Sequence, residues 1–210
     1  MRPSRPRRTP VGRFTTRYLL SCAAIGVAGG LLLIPANLYA ATVAKGVPLL
    51  YAPVVGVWIL PVVVALALLR RPGAGVLSAL VAGLVTIPAS PNGAAAVITM
   101  LMIGVLLELP FAVLLYRRWH PAIFLSAAVV LAVLYGFVTW RSLDVASLAP
   151  WAQATFIALL LVSAVVGTLL GRAIARAVER TGVTRGISYT GPKPTADAAP
   201  AAQSEAVAGQ

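Results

Sequence analysis

Residues 51–73 read YAPVVGVWILPVVVALALLRRPG, and this stretch decides the fold. Uncharged residues run from Tyr51 to Leu69 and are closed by Arg70-Arg71 and the turn pair Pro72-Gly73. A helix of about 20 apolar residues is what the hydrocarbon core of a bilayer requires. The closing arginines assign its end to the cytoplasmic side, because cytoplasmic loops retain Lys and Arg. The same punctuation recurs outward in both directions. Apolar spans read as 17–36, 47–69, 74–89, 94–116, 122–139 and 151–171. Arg2, Arg5, Arg7, Arg8, Arg13 and Arg17 precede or open the first span, and Arg117-Arg118 follow the fourth. Arg172, Arg176, Arg180, Arg185 and Lys193 follow the sixth. Of the 17 basic residues, only Lys45 and Arg141 fall on the other side. The expectation is an all-α integral membrane protein, a bundle of six transmembrane helices, multi-pass in the plasma membrane, with both termini cytoplasmic.

Composition excludes other classes. Apolar residues make up 60% of the chain and charged ones 10%, well outside the soluble globular range. A net charge of +12 on a soluble fold would point to nucleic acid. Here it is divided among span ends, where topology and anionic headgroups account for it, so membrane lipid and not nucleic acid is the expected partner. The single cysteine, Cys22, excludes an internal disulfide and a thiolate metal cage. The run Tyr18 to Ile34 is long for a signal peptide and no small-x-small cleavage site closes it, so it reads as a transmembrane helix. Four segments follow: a basic cytoplasmic N-terminal segment 1–16, a six-span membrane domain 17–172, a basic cytoplasmic helix extension 173–187, and a disordered Ala/Pro-rich tail 188–210. No soluble domain remains and no phosphate loop ending in Gly-Lys-Ser/Thr occurs. Any activity is built between the helices or borrowed from a partner.

Glu108 is the only ionisable side chain deep in an apolar span. A carboxylate there costs a few kcal/mol and faces the bundle interior. It has two readings: a counter-charge or hydrogen-bond acceptor for a cationic or amidine-like ligand, or a protonated group bonded to a neighbouring helix near the Pro110 kink. The residues alone leave both open, and Glu108 is about 21 Å of helical rise from Ala94 on the outer side. Aromatic and amide residues gather towards the outer half: Asn37, Tyr39, Tyr51, Trp58, Asn92, Tyr135, Trp151 and Gln153. Trp140 and Trp151 flank spans and suit an interfacial belt. Trp58 lies mid-span, where it either stacks on a flat heteroaromatic ring or packs in the core. His120, beside Arg117-Arg118, reads as a loop residue. Small residues recur four apart as Ala24-x-x-x-Ala28, Gly26-x-x-x-Gly30 and Gly167-x-x-x-Gly171, a spacing that lets helices approach closely. Internal packing explains most of this, and the first span is the better candidate for docking a partner. With no intramembrane His, Lys or Asp, no catalytic constellation forms, and Glu108 alone makes no metal site. Neither an enzyme nor a bound cofactor is expected.

Arg70-Arg71-Pro72-Gly73-Ala74-Gly75 and Gly83-Leu84 mark the third span, Ala89-Ser90-Pro91-Asn92-Gly93 its outer loop, and Leu107-Glu108-Leu109 the fourth span. Together with six spans and Ala24-x-x-x-Ala28, these residues resemble the substrate-capture (S) components of energy-coupling-factor (ECF) vitamin transporters. Within that group the chain is most similar to the hydroxymethylpyrimidine/thiamine permease family. The resemblance covers roughly residues 17–172. It implies a bundle that takes a vitamin from the outside and docks on a transmembrane coupling (T) subunit driven by two ATP-binding cassette ATPases. Carried over, Ala24 and Ala28, with Gly26 and Gly30, become the docking face. Glu108, Trp58, Asn92, Tyr135 and Asn37 become candidate ligand contacts. The competing reading is a membrane scaffold or assembly protein without a small-molecule ligand.

Overall fold

The structure, a computed structural model, describes residues 16–44, 46–91, 93–116 and 119–181. Among these residues every regular element is helical. The helices are α1 Thr16–Val43, α2 Pro48–Tyr51, α3 Val54–Trp58, α4 Leu60–Leu69, α5 Ala74–Thr86, α6 Ala95–Val113, α7 Pro121–Ser142 and α8 Pro150–Arg180. Five runs are long and apolar enough to cross a membrane: α1, the α2–α4 series, α6, α7 and α8. The sixth, Ala74–Ala89, is apolar but short. At 1.5 Å per residue it rises about 24 Å, less than the ~30 Å hydrocarbon core. The expected N- and C-terminal segments lie mostly outside the described residues, apart from the helix that runs on to Arg180.

Helices α4, α5, α6, α7 and α8 pack in a closed ring, each against the next and α8 back against α4. Helix α1 rides outside this ring, on α5 and α4. The stretch that opened the sequence reading is the most enclosed. In its most apolar window 78% of residues are buried, against 22% for α1. Composition explains the contrast, since a helix that is apolar all round suits the centre of a bundle. Ile59, Val62, Val63 and Leu66 meet Ile103, Leu107, Leu131 and Phe156 there.

This central span is not one continuous helix. It breaks after Tyr51 and again at Ile59, beside Pro53 and Pro61. Backbone groups freed inside a bilayer need internal partners. Ser163 of α8 supplies one: its hydroxyl donates to the Pro53 carbonyl at 2.6 Å and accepts from Gly56 N–H at 2.8 Å. Gly56 lets α8 come this close, because a Cβ there would lie 2.6 Å from Ser163 Oγ.

Two boundaries differ from the sequence reading. Helix α1 continues to Val43 rather than ending at residue 36, so Asn37 and Tyr39 lie within a helix and not in an outer loop. Pro35 lies inside α1 without ending it, since a proline is tolerated inside membrane helices. Helix α6 ends at Val113, not residue 116, and Leu115 and Tyr116 take left-handed conformations at φ 51° and 55°.

Candidate functional site

The turn Arg70–Gly73 gathers one polar cluster. Gly73 adopts φ 82° as the residue before α5, a conformation open to glycine at little cost. Its N–H donates to Glu108 Oε1, while Val76 N–H donates to Oε2 at 3.0 Å. The buried carboxyl group of α6 therefore caps the N-terminus of α5, taking two donors that have no partner within that helix. The positive end of the helix dipole faces it as well. A third donor arrives from the chain reversal after α6, where Tyr116 Oη donates to Oε1 at 2.9 Å. Tyr116 lies beyond the helix end, and burial, followed by the hydrogen bond to Glu108, pushes its phenol well above the usual tyrosine range. Tyr18 of α1 secures the other side of the turn, donating to the Pro72 carbonyl at 3.0 Å beneath the Arg71 guanidinium, 5.7 Å above its ring. Glu108, with its acceptors engaged by three donors of its own chain, ties α6 and the reversal after it to the start of α5.

A second polar region lies in the opposite half, about 18 Å of helical rise from Arg70 to Trp58. Tyr51 and Tyr135 share a hydrogen bond of 2.8 Å between their hydroxyls. Trp58 stands edge-on to both rings, with centroids 5.6 and 6.1 Å away. Among the described residues the buried indole Nε1 of Trp58 has no hydrogen-bond partner. Two of the predicted contacts, Trp58 and Tyr135, thus come together, joined by Tyr51. Glu108 sits with the arginine turn instead. Asn37 is half-buried on α1, and Asn92 lies outside the described residues.

Along the exposed flank of α7 and α8 an open cavity of about 670 Å³ lies between the two helices, with Val133, Phe137 and Ile157 exposed along it. Phe137, Trp140, Phe156 and Leu160 form apolar walls, and Arg141 and Asp144 stand at its end. The Arg141 guanidinium is 5.7 Å from the Phe137 ring centroid. Gln153 braces the rim, its amide donating to the carbonyls of Ala146 and Leu148 at 3.1 and 2.8 Å. In the sequence Trp140 fits an interfacial belt and Arg141 reads only as topology, so neither points to this cavity. The available signal was their adjacency to Asp144 within four residues of each other. A cavity with aromatic walls and both charge signs can hold a flat, polar or cationic organic molecule.

The small residues of α1 divide between two faces. Gly26 and Gly30 are buried on α5, where an added Cβ would meet Val81 Cβ at 2.6 Å and Val85 Cβ at 2.7 Å. These glycines serve packing within the bundle. Ala24 and Ala28 are exposed on another flank, together with Leu20, Val27 and Leu31.

Comparison with known proteins follows the same lines. The profile of the family "ABC-type cobalt transport system, permease component" matches residues 17–134. A relative from Bacillus subtilis (strain 168), named "Putative HMP/thiamine permease protein YkoE", is 27% identical over 152 residues, which cover 67% of this chain and 72% of the relative. The crystal structure of an S-component of an ECF transporter matches with a TM-score of 0.75 at 18% identity, over 94% of this chain and 99% of that one. The bundle described above therefore has the S-component fold.

Proposed function

The chain belongs to the family of permease components of ABC-type cobalt transport systems, and on that premise we propose that it is the substrate-capture subunit of an importer. It is a multi-pass protein of the plasma membrane and a transport component by family and fold. Its ligand is a small vitamin or precursor of the thiamine or hydroxymethylpyrimidine type, taken up from outside. A T subunit and two ATPases drive release inward, and both termini lie in the cytoplasm, where the arginines are. The name of the Bacillus relative supports the ligand class.

The observation that carries the reading is the 670 Å³ cavity, within the ~300–1,000 Å³ range of small-molecule sites. In it Asp144 faces a cationic ring or an amino group, and Phe137 and Trp140 flank the ring plane. A second reading rests on the unpartnered Trp58 indole, which offers a donor to a ring nitrogen of a molecule reaching the Tyr51–Tyr135 pair. Ala24 and Ala28 are the docking contact, since they are the exposed members of the small-residue series on α1.

The test is identification of the small molecules retained by detergent-purified protein, followed by calorimetric titration with thiamine and hydroxymethylpyrimidine. Retention of a pyrimidine-bearing compound supports capture. A protein that retains nothing and binds neither compound is a scaffold, and the proposal fails.

A further inference from the structure

At the arginine end, α4, α7 and α8 enclose a cleft that the capture site does not use. Arg70, Arg172 and Arg176 line it, with Glu179, Trp119 and Phe124. Two of the three guanidinium groups are held in place. Arg70 Nε donates to the Ala67 carbonyl at 3.3 Å, and its Nη2 pairs with Glu179 Oε1 at 3.2 Å. Arg172 stands over the Phe124 ring, 5.3 Å from its centroid. Arg176 follows one turn later on the same face of α8, a like-charge spacing that disfavours the helix unless an anion lies between. Among the described residues, Glu179 is the one carboxylate paired with these arginines, leaving the cleft with an excess of two positive charges. The space between them is about 50 Å³. One ordered water needs only ~10–15 Å³, so a group of several heavy atoms fits.

We propose that this cleft is a binding site for the phosphate of an anionic phospholipid. Arginine presents fixed paired donors to phosphate oxygens, and a basic recess between membrane helices at the headgroup level matches such a lipid. Leu169, exposed on α8 three residues before Arg172, offers apolar contact for an acyl chain. Bound there, the lipid bridges α4 and α8 and neutralises the repulsion between Arg172 and Arg176.

Native mass spectrometry of the full chain, released from nanodiscs of phosphatidylcholine with and without phosphatidylglycerol, reads the site directly. The parent protein should retain phosphatidylglycerol, and its melting temperature should rise in the mixed bilayer. Arg172→Gln combined with Arg176→Gln should weaken retention about tenfold or more, while Arg141→Gln, at the opposite end, leaves it unchanged. Should the double variant fail to fold, exposed Arg176→Gln alone carries the test with a smaller loss. Equal retention by parent and variant overturns the proposal. So does inorganic phosphate that gives the same melting shift in phosphatidylcholine alone, because the site then takes a free anion rather than a lipid.

Discussion

The two halves of the bundle treat buried polar groups in opposite ways. At the arginine end Glu108 accepts from Gly73, Val76 and Tyr116, and Tyr18 closes the turn from the other side. In the opposite half the Trp58 indole has no partner among the described residues, and Arg141 and Asp144 line an open cavity. An acidic residue in an apolar span is expensive, and the structure meets that cost at Glu108 with donors from within the chain. Under the proposed function the ligand binds in that half, where the Trp58 donor is left open.

The largest effect that sharpens this contrast should come from Glu108→Ala. Three donors lose their acceptor, and at ~1–3 kcal/mol for each buried donor left unmet the bundle loses about 3 kcal/mol or more. Thermal melting in detergent measures it, and a stability equal to the parent's would break the structural half of the comparison. Next is Asp144→Asn, which preserves shape and removes charge. Affinity for a thiamine-type cation should fall roughly 10- to 100-fold, the ~1.5–3 kcal/mol of a charged hydrogen bond, with melting unchanged. Gly73→Ala follows. A left-handed position costs a side chain about 1–2 kcal/mol, so the Arg70–Gly73 turn loosens and melting falls while affinity holds. Trp58→Phe should do least. It removes a donor without a partner, which offsets lost ring area, and stability should stay within ~1 kcal/mol. Under the cavity reading affinity also stays constant; a large loss of affinity would move the ligand to the Tyr51–Trp58–Tyr135 group.

Apolar length and arginine placement made the helical membrane class legible, because both follow from the solvent on either side of each span. Helix ends were less so. Pro35 lies inside α1 without ending it, and the backbone groups freed near Pro53 are met by Ser163, over a hundred residues away in the chain. Glu108 stood out in sequence for a sound reason, its rarity. Its partner Gly73 was also visible as part of the Arg70–Gly75 motif, yet nothing in the spacing joins residues 73 and 108. The series Gly26 and Gly30 against Ala24 and Ala28 shows the same limit. Four-residue spacing reveals a ridge of small residues but not which ridge is already occupied by α5. The cavity was the least legible part, since it is formed by α7 and α8 meeting side by side and most of its lining is ordinary membrane-helix sequence.

Under the proposed function the ligand is held at the cavity between α7 and α8, and Glu108 holds the fold. The direct test is parallel titration of thiamine and hydroxymethylpyrimidine into the parent protein, Glu108→Gln and Asp144→Asn, with a melting curve for each. Glu108→Gln presents an amide nitrogen where two N–H groups and a phenol need an acceptor. It should therefore melt lower, by about 1.5–3 kcal/mol, and bind as the parent does. Asp144→Asn should melt as the parent does and bind more weakly. The reverse pattern, with affinity lost in Glu108→Gln and retained in Asp144→Asn, would contradict the account.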